Sequence, residues 1–147
     1  MFEVTKREIR DLTIAFFVLT FCFAFSTVGF DLHAFISILP IVMIGCAVGS
    51  LVHELGHKYT AMKYDCRAEF ELWPLGLLIA VASSFFGVVF ATPGVAHIYP
   101  EDIDDETNGK ISIAGPMANI ALAIMALAGA ALIYPLIHFS GIFYCAL

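Results

Sequence analysis

Four stretches of this chain, residues 12–30, 32–52, 72–96 and 111–147, contain no Asp, Glu, Lys or Arg. A helix needs about 20 apolar residues to cross the hydrocarbon core of a bilayer, so each run reaches or exceeds a span. That pattern excludes most water-soluble folds. The chain has 147 residues, 61% of them hydrophobic and 14% charged, with a mean hydropathy of +0.91. A soluble domain of this size leaves too large a share of its surface in water to hide so much apolar area. The sequence therefore predicts an integral, multi-pass membrane protein.

The seven basic residues set the expected orientation. Lys6, Arg7 and Arg10 precede the first run, which places the N-terminus in the cytoplasm by the bias of Lys and Arg toward that side. The first run then exits and the second, with Pro40 early in it, returns, leaving Lys58, Lys63 and Arg67 on the cytoplasmic side. Lys110 is the seventh. It joins the other six only if residues 72–96 re-enter the side they left.

The composition of residues 72–96 favours that re-entry. The run holds Trp73-Pro74, Gly76, the Ser83-Ser84 pair, Gly87 and "ATPG" at 91–94, and "FFGVVFA" at 85–91 is rich in aromatic and β-branched residues. Such residues favour extended structure. Irregular backbone at membrane depth is tolerated where protein buries it or water reaches it. The fourth run is too long for one span. Residues 111–134 suffice for a helix, with Pro135, His138 and Gly141 expected to break it. The predicted fold class is thus mainly α: a polytopic membrane protein with about three transmembrane helices plus a re-entrant or short β-strand element between the second and third.

Other features are quieter. The net charge of −6 owes much to "EDIDDE" at 101–106, read as a solvated loop, and no basic cluster points to nucleic acid. Cys22, Cys46, Cys66 and Cys145 are scattered free thiols with no CxxC pair. The first run lacks a small-residue cleavage site, so no signal peptide is expected. Gly45 and Gly49 form a GxxxG pair suited to close helix approach, within the fold first and in a homo-oligomer second. Trp73, Tyr59 and Tyr64 read as interfacial anchors.

The chemistry sits where the second run meets charge, in "SLVHELGHKYTAMKY" at 50–64. His53 and His57 are four apart, so a helix projects both from one face, and two imidazoles there can hold one Zn²⁺ at about 2.0–2.1 Å. Glu54, beside the first ligand, is placed to hold the attacking water as general base. An ionisable group at membrane depth is costly and is functional by default, and Gly56 lets a backbone or substrate come close. The plainer alternative is a membrane helix whose end carries polar residues at the interface. Zinc in a hydrolase needs a third protein ligand. Position 60 is Thr and 63 is Lys, which removes the extended zincin pattern; Asp65 is about 12 Å along the helix from His57. His97 and His138 read as interfacial or core histidines.

"HELGH" closing an apolar helix, "FATPGVAHIY" at 90–99 and "GKISIAGPMANIALAI" at 109–124 together resemble the site-2 protease family, intramembrane zinc metalloproteases of the M50 class. The resemblance covers roughly residues 35–130. It implies that His53 and His57 ligate zinc, that Glu54 is the catalytic glutamate, and that Asn119, in the GPxxN motif, is catalytic by binding substrate or stabilising the oxyanion. Asn119 also reads as a residue that joins helices by hydrogen bonding. The family's segment between the motifs is strand-like and holds an extended substrate by edge pairing. Its third ligand comes from an Asp-Gly motif that this chain lacks. Residues 1–147 are therefore expected to be a single membrane-embedded metalloprotease-like domain without the C-terminal ligand-bearing helix, a truncated core, with a naturally short inactive relative as the next reading.

The expected function is zinc-dependent hydrolysis of peptide bonds in transmembrane protein substrates, near the cytoplasmic face of the cell membrane. The partners are those substrates and the lipid bilayer, with no nucleic acid. The alternative from another class is a non-catalytic membrane protein that binds metal or a client helix; a transporter fragment is the third reading.

Overall fold

A computed structural model describes residues 4–90, 92–100 and 102–144, with side chains described as far as residue 134. The elements run α1 (Lys6–Val28), α2 (Leu32–Lys63), β1 (Arg67–Leu72), α3 (Pro74–Ser84), β2 (Gly94–Tyr99) and α4 (Asp105–Tyr144). Helices α1, α2 and α4 are each long and apolar enough to cross a membrane. Local sequence sets their ends. Thr5 caps α1 by accepting from the Glu8 amide, and Asp31 caps α2 by accepting from the Ala34 amide. Between them Gly29 takes φ 62°, a left-handed conformation that glycine adopts without strain, and the chain reverses in three residues. Asp104 stands before α4 and accepts the Thr107 amide at 3.0 Å.

The third apolar run does not span. Helix α3 has 11 residues, about 16 Å, roughly half the hydrocarbon core. It begins at Pro74, whose missing N–H costs nothing in a first turn. It is bracketed by β1 and β2, which pair antiparallel from Arg67↔Tyr99 to Leu72↔Gly94. The chain therefore returns to the end it left. The strands lie one element earlier and later than composition suggests: "RAEFEL" and "GVAHIY" are extended, while residues 85–90 form a turn and irregular chain. In β1 the alternation of charged Arg67, Glu69 and Glu71 with Ala68, Phe70 and Leu72 is the period-two signal.

Two further expectations change. Pro135 does not end the last helix, because α4 continues to Tyr144; neighbouring groups in membrane helices often re-satisfy the carbonyl that proline frees. The side chain of His138 and all of Cys145 lie outside what is described. The acidic loop is shorter than its charge run, since Asp105 and Glu106 belong to the first turn of α4, where a helix N-terminus favours anions.

Helix α2 packs along α4, and α1 packs along α2, α3 and β1. The α2–α4 approach is close. A Cβ on Gly56 would stand 2.7 Å from the Ala114 carbonyl oxygen, nearer than atoms sit, so only hydrogen fits. At that end a small core of Ala61, Cys66, Ala68 and Ile111 joins α2, β1 and α4. Lys110 lies over the ring of Tyr64 with 5.6 Å to its centroid, and Arg7 pairs with Glu71. The basic residues of α1, α2, β1 and α4 thus gather at one end of the molecule. Glu8 and Asp11 of α1 accept the β1 amides of Phe70 (3.2 Å) and Leu72 (3.4 Å), so α1 seals one edge of the sheet.

Candidate active site

The last turns of α2 carry His53, Glu54 and His57, and α4 passes against them. Four-residue spacing stacks the two imidazoles on one face, with ring centroids 4.8 Å apart and Nε2 to Nε2 at 3.1 Å. His57 Nδ1 lies 2.8 Å from the Ile111 carbonyl oxygen, an acceptor only, so Nδ1 carries the proton and Nε2 presents a lone pair toward His53. Two ligands at about 2.0–2.1 Å from a tetrahedral metal stand about 3.3–3.4 Å apart, close to the observed separation. The donor chemistry therefore fits a zinc ion as two of its ligands. Among the described residues no set of three His, Cys, Asp or Glu forms a complete metal site.

Gly115 makes this convergence possible. A Cβ there would overlap His57 Nε2 and stand 2.8 Å from His53 Cδ2, so the rings occupy the space a side chain would fill. One turn further along α4, the Asn119 amide nitrogen is 3.3 Å from His53 Nδ1, while Asn119 Oδ1 is buried with no partner. All four residues singled out in the sequence thus meet at one place.

Glu54 is 7% exposed and borders the same space. Its Oε1 makes no hydrogen bond and lies 3.7 Å from Lys58 Nζ, beyond hydrogen-bonding range. At that distance the two form an ion pair, and Lys58 is held more closely by Glu8 Oε1 at 2.7 Å and the Ala68 carbonyl oxygen at 3.0 Å. An ion pair so deeply buried is supported by further hydrogen bonds, and here the Ala68 carbonyl accepts from Lys58 while Glu8 Oε1 accepts the Phe70 amide, leaving Glu8 Oε2 buried without a hydrogen-bond partner. The pair links α1, α2 and β1 directly behind Glu54.

A cavity of about 690 Å³ opens in front of the histidines. Its polar end is His53, Glu54, His57 and Asn119; its walls are apolar residues of α1 and α2 and residues 92–96 at the start of β2. Among the described residues β2 has one strand neighbour, β1, and no other described strand pairs with its outer edge. Gly45 and Gly49 line this cavity, and a Cβ on either would meet nothing within 4 Å. They do not bring helices together within the described fold.

The other candidate ligands are engaged or remote. His97 on β2 pairs with Glu71 (2.8 Å), and Asp65 forms the left-handed turn after α2, with φ 54°. Tyr59 and Tyr64 each lie beneath a lysine, Lys63 and Lys110, at the basic end. Sequence reasoning missed the Ile111 carbonyl, the role of Gly115, and the Glu8–Lys58 pair. A glycine in the middle of an apolar helix was the available signal for Gly115. For Glu8 the signal was an acid among the basic residues that precede the first span.

The chain is 40% identical over 126 residues to a protein of Methanocaldococcus jannaschii named "Putative zinc metalloprotease MJ0611". The aligned part is 85% of this chain and 63% of that protein, so the chain spans somewhat less than two thirds of its relative. No family model matches, and no solved structure does.

Proposed function

We propose that this chain is the core of a zinc metalloprotease of the site-2 protease type. It acts on peptide bonds of membrane-spanning substrates near the end where its basic residues gather, the cytoplasmic face of a cell membrane. The observation that carries the reading is the convergence of His53 and His57 Nε2 at 3.1 Å beside Glu54, at the mouth of an apolar cavity between membrane-length helices. His53 and His57 would hold the zinc. Bound there, zinc supplies Lewis-acid polarisation of a carbonyl and acidification of a water molecule.

The chain's own residues do the rest. Glu54, with an oxygen free of hydrogen bonds, takes the proton of the attacking water and returns it to the leaving amine. Lys58, anchored by Glu8 and Ala68, fixes the helix turn from which Glu54 projects. An unwound substrate lies along β2, where main-chain pairing at an open strand edge gives affinity without demanding a sequence. The apolar walls accept its hydrophobic side chains.

The test uses the full protein in detergent micelles: zinc content by mass spectrometry and cleavage of a model transmembrane substrate. Glu54→Gln should retain zinc and lose cleavage by about 10²–10⁴-fold, the usual worth of a general base. A zinc-free parent protein, or an unimpaired Glu54→Gln, overturns the reading. A non-catalytic membrane protein that binds metal or a client helix is favoured by one observation, the two-histidine ligand set among the described residues. It predicts bound zinc with no cleavage in the parent.

A further inference from the structure

The resemblance to site-2 proteases assigns Asn119 to substrate or oxyanion, yet its amide contacts His53 at Nδ1, the ring nitrogen that does not face His57. We infer that Asn119 is a positioning residue for His53: its side-chain oxygen accepts the Nδ1 proton and so leaves Nε2 bare for the metal. The inference rests on the zinc-binding reading above.

The argument begins with the proton. A neutral imidazole carries one, and whichever nitrogen holds it cannot ligate. With the amide nitrogen of Asn119 turned to Nδ1, the proton of His53 must sit on Nε2, on the side shared with His57. With the amide oxygen turned there, the proton sits on Nδ1 and Nε2 is free. The two ends of a carboxamide have nearly the same shape and exchange by a half-turn of the amide. The half-turn also gives the buried Oδ1, which has no partner, the donor it lacks.

The second ring is held in the same manner. The Ile111 carbonyl oxygen takes the Nδ1 proton of His57. Residues 111, 115 and 119 are four apart, so they share one face of α4. One face of one helix therefore supplies an acceptor for each imidazole, with Gly115 between them making room for both rings. Outer partners of this kind fix the tautomer and orientation of metal-bound histidines, and their loss typically costs 10–100-fold in metal affinity.

The experiment measures zinc affinity of the purified full chain by competition with a chromophoric chelator, on the parent, Asn119→Leu and Asn119→Asp. Leucine has the shape and no acceptor; aspartate has only acceptors. Asn119→Leu should bind zinc about 10–100-fold more weakly, and Asn119→Asp should stay within a few-fold of the parent. An oxyanion donor predicts the reverse pattern, with zinc affinity unchanged in both variants and cleavage lost in both. Leucine binding zinc as tightly as the parent, or aspartate losing as much as leucine, overturns the inference and leaves the metalloprotease reading standing. A parent without zinc affinity overturns both. Should the leucine variant misfold, ¹⁵N shifts of the imidazoles decide: in metal-free protein the parent and Asn119→Asp should both carry the His53 proton on Nδ1, and a parent proton on Nε2 overturns the inference.

Discussion

Removing Glu8 should destabilise the protein more than removing any exposed charge. Glu8 and Lys58 are 1% and 6% exposed, and Glu8 Oε1 meets Lys58 Nζ at 2.7 Å while also accepting the Phe70 amide at 3.2 Å. Glu8→Leu takes the main counter-charge from a buried ammonium and leaves a strand amide without its acceptor. Breaking a buried pair from one side costs about 3–5 kcal/mol, because the surviving charge stays desolvated. Lys58→Met should cost a similar amount for the mirror-image reason. The double variant removes both members of the close pair and leaves Glu54 without its lysine just as Lys58→Met alone does, so its cost should fall below the sum, with a coupling of at least about 2 kcal/mol. The control is Arg7→Ala. Arg7 is 65% exposed where it pairs with Glu71, and such surface pairs are worth about 0–1 kcal/mol. Reversible unfolding in mixed micelles, followed by the fluorescence of the lone tryptophan, Trp73, measures all four. A Glu8→Leu cost below about 1 kcal/mol, or strict additivity in the double variant, would refute the claim that this pair ties α1 to α2 and β1.

Other outcomes follow from single contacts. Gly115→Ala puts a methyl group where the histidine rings lie, so zinc content should fall at least tenfold, the scale of a lost outer partner, while Gly45→Ala, with open space around it, should leave zinc content unchanged. Gly56→Ala should cost about 1–3 kcal/mol by overpacking α2 against α4, read by the same unfolding assay. Asp104, through its hydrogen bonds to Thr107, is held below the usual carboxylate range. A depressed pKa contributes stability that is present above the unfolded value and lost as pH falls through the lower folded one. Amide-exchange protection of Thr107 should therefore fade at acid pH, and Asp104→Asn, which keeps the cap, should flatten that dependence.

Much of the fold was legible because lipid imposes hard limits. The uncharged runs marked three spans, since a bilayer admits only helices or closed barrels and demands about 20 residues. The return of residues 72–96 was legible from Lys110, which joins the other six basic residues on one side only if that run re-enters, and it lies over Tyr64 beside the end of α2. The positions of the strands were not. "FFGVVFA" carries stronger β preference than "RAEFEL", but β preference measures fit to a half-buried surface, and that surface formed where α1 offered the carboxylates of Glu8 and Asp11. No local pattern announces a strand edge sealed by side chains from 60 residues earlier.

The site divides along the same line. His53, Glu54 and His57 were legible because one helix turn contains them, and helix geometry alone decides that they converge. What turns convergence into a ligand set comes from α4: a carbonyl at 111, a missing side chain at 115 and an amide at 119. Their regular spacing is invisible until the register between α2 and α4 is known, and that register rests on Gly56 against Ala114. A one-residue shift of α4 would turn this face by about 100° and take all three away from the rings. The close contact at Gly56 and the open site at Gly115 are therefore parts of one requirement. The first lets the helices approach to the distance at which the second becomes necessary.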